Sequence, residues 1–155
     1  MLSVLPDDVQ AWVTRILGQD ETLSACLFTD IAPDGAFGER WTFLTNRRLL
    51  VLAAGAKTGY AEIALELPLE QIEDAFVRDY VSSSALIIRS GTQSHEVARF
   101  SFASRNDASD ICHCIREINR QRREGKAAGE IVPPPPPQRP LHRCPQCGRA
   151  LRRQG

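Results

Sequence analysis

Two cysteines near the C-terminus have the spacing of a metal-binding turn. Cys144 and Cys147 are separated by two residues and followed by Gly148. Two thiolates at this spacing can bind one tetrahedral zinc ion, and the glycine lets backbone amides approach the sulfurs. A closed structural site needs four ligands, and the eight residues after Cys147 contain no second pair. We therefore predict half of a zinc ribbon with zinc as its candidate cofactor; His142 as a third ligand and two unligated cysteines remain the alternatives.

The other cysteines do not form a second metal motif. Cys112, His113 and Cys114 are consecutive in a predicted helix, where successive side chains point about 100° apart and cannot converge on one ion. We expect Cys112 to be buried and the next two residues to face solvent. Cys26 lies in a predicted strand, where it is expected to be a small core residue.

No residues form a recognisable catalytic or nucleotide-binding constellation. The segment 55–58 (GAKT) resembles the end of a phosphate-binding loop, but alanine stands where that loop requires a glycine before the lysine. The serines at 82–84 have no nearby histidine pattern, and His95 is a single histidine in a predicted strand. The sequence therefore predicts that the chain is not an enzyme.

Charge is distributed unevenly along the 155 residues, although the formal net charge is zero. Residues 1–115 contain nine Lys and Arg against sixteen Asp and Glu, and residues 116–155 contain ten against three. A basic tail of this kind is typical of contact with nucleic acid, an anionic membrane or an acidic partner, or it is simply solvated.

No segment has the about 20 apolar residues of a transmembrane helix, and the N-terminus lacks a secretory signal pattern. A cytoplasmic location is expected.

The elements that position these residues follow from periodicity and turn chemistry. A short amphipathic helix is predicted over 6–18, and a long one runs from an N-cap at Ser104, with a weak capping box to Asp107, to Gly125. Its apolar stripe consists of Ala108, Ile111, Ile115 and Ile118. Between the helices, alternation predicts seven strands: 22–32, 39–45, 48–53, 60–67, 72–81, 85–89 and 95–102.

This order predicts an α+β fold. A meander of seven strands followed by one amphipathic helix is typical of a pleckstrin-homology-like antiparallel barrel or sandwich, here with a short N-terminal helix and a capping C-terminal helix. We assign residues 1–125 to this domain, 126–141 to a proline-rich linker of extended geometry, and 142–155 to the truncated zinc-ribbon knuckle. The loop between the first two strands, 33–38, has Asp34 as its only charge, so phosphoinositide binding is disfavoured.

Several segments resemble the N-terminal cytosolic region of a group of bacterial ABC exporters. They are residues 5–12 (LPDDVQAW), 29–41 (TDIAPDGAFGERW), 67–73 (LPLEQIE) and 144–149 (CPQCGR). In that group a pleckstrin-homology-like module and a zinc ribbon precede the membrane and ATPase domains. The chain looks like a front fragment of such a protein, at the cytosolic face of the inner membrane. The resemblance implies that transport and ATP hydrolysis would belong to the parent protein.

Two functional hypotheses follow. The first is a non-catalytic regulatory or docking module that contacts the remainder of an ABC exporter or another protein partner. The alternative is a small nucleic-acid-associated zinc-ribbon protein, suggested by the basic tail beside Cys144 and Cys147.

Overall fold

A computed structural model describes residues 5–31, 37–54 and 61–135. Helix α1 (Asp7–Ile16) precedes the strands β1 (Leu23–Ile31), β2 (Phe37–Thr45), β3 (Arg48–Ala54) and β4 (Ala61–Pro68). After them come β5 (Asp74–Asp79), β6 (Ser84–Ser90), β7 (Gln93–Phe100) and helix α2 (Arg105–Arg123). Short 3-10 turns lie at Leu69–Gln71, Phe102–Ser104 and Ala128–Glu130. Both predicted helices and all seven predicted strands are present, with ends within about two residues of the prediction.

The strands form one antiparallel sheet in the order β4-β3-β2-β1-β7-β6-β5. The predicted fold class is confirmed: seven antiparallel strands with a C-terminal helix and a short N-terminal helix. In the described residues, β1 and β7 pair through Ile31 and Arg99. This junction, which we call the corner, joins a four-stranded half of the sheet (β4-β3-β2-β1) to a three-stranded half (β7-β6-β5).

Helix α2 packs across the inner side of this corner. It contacts β5 in one half and β1 in the other, and its predicted apolar stripe is buried. The stripe enters a core built from both halves, which includes Leu27, Leu44, Leu86 and Ile88. Burial of this one helix face therefore joins the two parts of the sheet.

The predicted capping box at the start of α2 is absent. Ser104 is the N-cap residue, but its side chain makes no capping hydrogen bond. Its backbone, at φ −99° and ψ 2°, continues the preceding 3-10 turn. A capping side chain usually requires an extended N-cap residue, and Ser104 is not extended.

Helix α1 covers the opposite face of the four-stranded half. Its buried residues Val9 and Val13 belong to a second apolar cluster with Trp41, Phe43 and Leu50. Neighbouring residues of β2 and β3 point into the first core because successive side chains in a strand alternate between faces. Strands β2 and β3 are therefore buried on both faces.

Arg48 fixes the end of α1 to the sheet. Its guanidinium donates to both carboxylate oxygens of Glu21, at 2.8 and 3.0 Å, and to the carbonyl of Ile16 at 2.8 Å. It also donates to Glu66 on β4 at 2.9 Å. The Thr45 hydroxyl donates to Glu21 at 2.7 Å. One arginine thus connects the last turn of α1, the α1–β1 loop and two strands.

A bulge in β4 changes the outcome for one predicted core residue. Val51 pairs with Leu65, but the next β3 residue, Leu52, pairs with Ile63, so Ala64 is an extra residue. In the sequence, Ile63, Leu65 and Leu67 alternate with Glu62, Ala64 and Glu66, a pattern that predicts one buried face for the three apolar residues. Leu67 is buried and Leu65 partly so, whereas Ile63 is 48% exposed. The prediction for Ile63 was wrong because the bulge turns this side chain to the face on which Leu52 lies, at the edge of the sheet.

The chain after α2 returns to the domain. Gly125 has a φ of 84°, which allows the turn out of the helix. Ile131 packs against the core, and the Gln121 side chain holds the backbone of Val132 at two points, accepting from its N–H at 3.0 Å and donating to its carbonyl at 2.8 Å. We call residues 126–135 the strap.

Neither helix in the described part of the chain is both long and apolar enough to span a membrane.

Replacing Ile115 with alanine tests the docking of α2. Ile115 is 1% exposed within the core, so its truncation should lower the free energy of unfolding by about 2–5 kcal/mol. Urea denaturation measures the change. The matched control is Ile63→Ala, at the 48% exposed edge position, where a change within about 0.5 kcal/mol is expected. Equal effects at the two positions would contradict the docked helix.

The Arg48–Glu21 pair should make stability depend on acid pH. Burial alone would raise the pKa of Glu21, but hydrogen bonds from Arg48, the Gly18 amide and Thr45 outweigh it and lower the pKa to about 2. A lowered folded-state pKa contributes stability that is present above the unfolded value and is lost as pH falls through the folded value. The loss should therefore occur between about pH 4.5 and pH 2.

The variant Glu21→Gln isolates this contribution. Wild type should exceed it in free energy of unfolding by about 2 kcal/mol at pH 7, and the difference should vanish by about pH 2. The control is Asp20→Asn, because the Asp20 side chain is 89% exposed and lies 3.8 Å from Arg47. A pH-independent difference for Glu21→Gln would disprove the assignment.

Candidate functional site

The predicted zinc knuckle lies outside the described residues. Cys144, Cys147 and His142 fall within 136–155, so zinc binding there stays a prediction. The segments 32–36 and 55–60, which include most of the loop predicted not to bind phosphoinositides and the GAKT segment, also lie outside the described residues.

The cysteines that the structure describes are free thiols with structural surroundings. Burial raises the pKa of Cys112 and of Cys26 to about 11, so both are protonated near neutral pH. Cys112 is buried and His113 exposed, as predicted, and Cys26 is half-buried against the α1 cluster. Within residues 5–31, 37–54 and 61–135, no group of three or more His, Cys, Asp or Glu side chains could hold a metal ion.

Cys114 is buried, not exposed as predicted. It lies two helical turns before Gln121, so the two residues share one flank of α2. The strap returns to this flank and is held there by Gln121. The prediction placed Cys112 in the helix contact and turned the next two residues outward, but the buried face of α2 is wide enough to include both Cys112 and Cys114.

An exposed apolar patch lies at the end of β5–β7 where α2 begins. The described residues include five exposed large hydrophobic side chains, and three of them are at this end: Val81 at 104%, Phe102 at 68% and Tyr80 at 39% relative exposure. Tyr80 and Val81 are in the β5–β6 turn, and Phe102 begins the 3-10 turn between β7 and α2. We call these three residues the end patch.

Polar contacts hold the two segments of the end patch in place. The Asp79 carboxylate pairs with Arg105 at the start of α2 and accepts a hydrogen bond from the Ser84 hydroxyl at 2.8 Å. The hydrogen bond from Arg105 lowers the pKa of Asp79. The ion pair therefore links the β5–β6 turn to the connection that carries Phe102.

Tyr80 is positioned by a cation. The guanidinium of Arg99 lies over its ring, 5.0 Å from the centroid, and Arg99 itself is paired with Glu96 at 2.9 Å. Such stacking orients an aromatic ring while leaving its other face accessible. The patch thus presents apolar side chains on segments whose backbones are fixed, an arrangement suited to binding and not to acid–base chemistry.

Sequence reasoning did not identify this patch. Val81 and Phe102 were assigned to the last positions of two predicted strands, where apolar residues are ordinary. The signal that could have found them is their position beside turn residues: Ser82 follows Val81, and the Ser104 N-cap lies two residues after Phe102. An apolar residue beyond the end of a strand has no sheet neighbour to cover it.

Comparison with known proteins agrees with the architecture. A family model described as a bacterial PH domain matches residues 17–117, from the end of α1 into α2. The sequence has no match among curated proteins.

Two solved structures are similar at low sequence identity. A DUF1696 family protein with a pleckstrin-homology domain from Shewanella loihica PV-4 is 17% identical; the match covers 71% of this chain and 89% of that one, with a TM-score of 0.44. A pleckstrin homology domain from Shewanella amazonensis SB2B is also 17% identical. That match covers 61% of this chain and 80% of the other one, with a TM-score of 0.38.

The family match spans more than half of the sequence and includes all seven strands and most of α2. The chain therefore belongs to the bacterial PH domain family.

Proposed function

We propose that the chain is a non-catalytic docking module that contacts a partner protein through the end patch. The observation that carries this proposal is the concentration of exposed hydrophobic side chains, Tyr80, Val81 and Phe102, at one end of the sheet. Exposed apolar groups gathered in one place gain free energy when a partner removes them from water. Scattered single residues would not support the same proposal.

Rigidity of the patch favours binding. Ordering flexible loops on association costs free energy, and a preformed surface avoids much of that cost. The Asp79–Arg105 ion pair and the stacking of Arg99 on Tyr80 already fix the two segments in the free protein. Aromatic residues with a polar group, such as Tyr80, are common at the centres of protein interfaces.

We further propose that the partner is the remainder of an ABC exporter. The support is the resemblance of residues 5–12, 29–41, 67–73 and 144–149 to the N-terminal cytosolic region of that group. In this proposal the membrane and ATPase domains of the parent protein carry out transport and ATP hydrolysis, and the module acts by contact alone.

Site-specific photo-crosslinking tests the docking surface. A photoreactive phenylalanine analogue at Val81 or Phe102, introduced in cells of the source organism, should give one major adduct because both positions face the same partner. The matched control is the analogue at Ile63, which is exposed at 48% on the β4 edge. Mass spectrometry identifies the partner.

The outcomes separate the two levels of the proposal. An adduct with a protein that contains membrane and ATPase domains supports the exporter assignment. A single adduct with any other protein supports docking but overturns the exporter. Absence of an adduct at both patch positions, or equal crosslinking at the control, would reject the docking surface. A nucleic-acid adduct would favour the alternative zinc-ribbon function.

The knuckle at Cys144 and Cys147 remains a separate zinc proposal. Two thiolates leave zinc with an incomplete ligand set, so the 155-residue chain should hold the metal weakly and release it to a chelator. The thermal transition of the PH domain should be unchanged by chelation, because the described residues contain no group of three or more side chains that could hold a metal ion. Native mass spectrometry and calorimetry measure the two effects. One tightly bound zinc per monomer would show that another ligand completes the site.

A further inference from the structure

A polar cleft runs along the flank of α2 opposite the strap. Its two adjoining spaces, of about 370 and 280 Å³, lie between the last turns of α2, the connection from β4 to β5, and β6. Five arginines line it: Arg89, Arg116, Arg120, Arg122 and Arg123. We call it the arginine cleft.

The walls of the arginine cleft are fixed by hydrogen bonds to backbone carbonyls. Arg116 donates to the carbonyl of Ala75 at 2.9 Å, and Arg122 donates to that of Leu69 at 3.1 Å. Between them, Asn119 donates to two further carbonyls of the same connection. A carbonyl orients a guanidinium without neutralising it, so these two arginines retain their positive charge and unused N–H donors.

Charge in the cleft is only partly compensated. Arg120 is paired with both Glu117 and Glu124, so these three side chains together carry a net charge of −1. The other two carboxylates are paired as well: Glu73 lies 3.8 Å from Arg89, and Asp74 lies 3.5 Å from Arg116.

The Arg123 side chain makes no hydrogen bond or ion pair with the part of the chain that the structure describes. Five arginines against four carboxylates leave a net charge of about +1, and Arg122 and Arg123 are the two that no described carboxylate pairs with.

The negative end of the α2 dipole accounts for part of this arrangement. Cations in the last turn of a helix are favourable, which explains Arg122 and Arg123. The helix dipole does not explain the position of Arg89, which is on β6, or that of Arg116, which is two turns from the end of α2. Two elements, α2 and β6, therefore contribute positive charge to one space.

The spacing of the arginines determines the class of ligand. Arg123 lies seven positions after Arg116 in the helix. This spacing corresponds to about 10 Å along the helix axis, which is the length of about three residues of extended peptide. A compact anion such as a phosphate can contact only one end of this row. Carboxylates distributed along an extended chain can contact several of the arginines, including Arg122 and Arg123, which no described carboxylate pairs with.

We propose that the arginine cleft binds an acidic peptide segment of a partner protein. The inference extends the proposed docking function by giving the chemistry of a second contact, at residues separate from the end patch. Guanidinium–carboxylate hydrogen bonds are charge-assisted and directional, so each acidic side chain adds both affinity and register.

Acetylated hexaglutamate is the probe for this site. The ¹⁵N-labelled 155-residue chain is titrated at low ionic strength, and NMR follows the arginine Nε–H signals of the cleft and the backbone amides of 116–123. We expect saturable shifts there, and hexaglutamine should produce none. Salt should weaken the binding because the contacts are exposed. Site-resolved signals distinguish the cleft from the basic C-terminal tail, which also attracts the probe.

Variants connect the shifts to the cleft. Arg89→Gln with Arg123→Gln should weaken hexaglutamate binding at the cleft by about tenfold or more. The single variant Arg123→Gln removes no side-chain contact within the described structure. It should weaken hexaglutamate binding by several-fold, and it keeps the test valid if the double variant fails to fold. Arg15→Gln, an exposed arginine on α1, is the control and should leave the affinity within about twofold.

Three results would overturn the proposal. They are no shifts at the cleft with hexaglutamate, an unchanged affinity in the Arg123→Gln variant, and tighter binding of inorganic pyrophosphate than of hexaglutamate at the same residues. The last result would identify a small phosphate site instead. Failure of crosslinking at the end patch leaves these signals unaffected, so the two proposals can fail separately.

Discussion

The whole arrangement depends on burial of the apolar stripe of α2 against both halves of the sheet. The helix contacts β1 on one side and β5 on the other, and Ile111 and Ile115 are in a core formed by both. Hydrophobic burial of this one helix face therefore holds the two halves of the sheet together. Both proposed contact surfaces lie along this same helix, one at its start and one at its end.

Helix α1 limits where those surfaces can be. It covers the outer face of β2 and β3, and the ion pair of Arg48 with Glu21 fixes it there. Removing two charges from water is costly, and the pair offsets that cost through bidentate geometry and additional hydrogen bonds from Thr45 and Gly18. The four-stranded half therefore buries most of its described apolar residues. Three of the five exposed large hydrophobic side chains in the described residues lie at the end of the three-stranded half.

Much of the fold could be predicted from the sequence because its signals are local. Strand alternation, the glycine after α2 and the isoleucine stripe each depend on neighbouring residues, and they placed the elements correctly. The errors concern contacts that local patterns do not contain. The extra residue Ala64 reverses the face of Ile63, and the core extends far enough around α2 to bury Cys114. The end patch and the arginine cleft were missed for the same reason, since each gathers residues from segments far apart in the chain.

The strap also determines how the domain would respond to force. Gln121 grips the backbone of Val132 with two hydrogen bonds, immediately before the proline run. Tension applied to the chain beyond residue 135 would reach the domain at this point, and Gln121 would pass it directly to α2. Since α2 packs against both β1 and β5, it would distribute this load to both halves of the sheet.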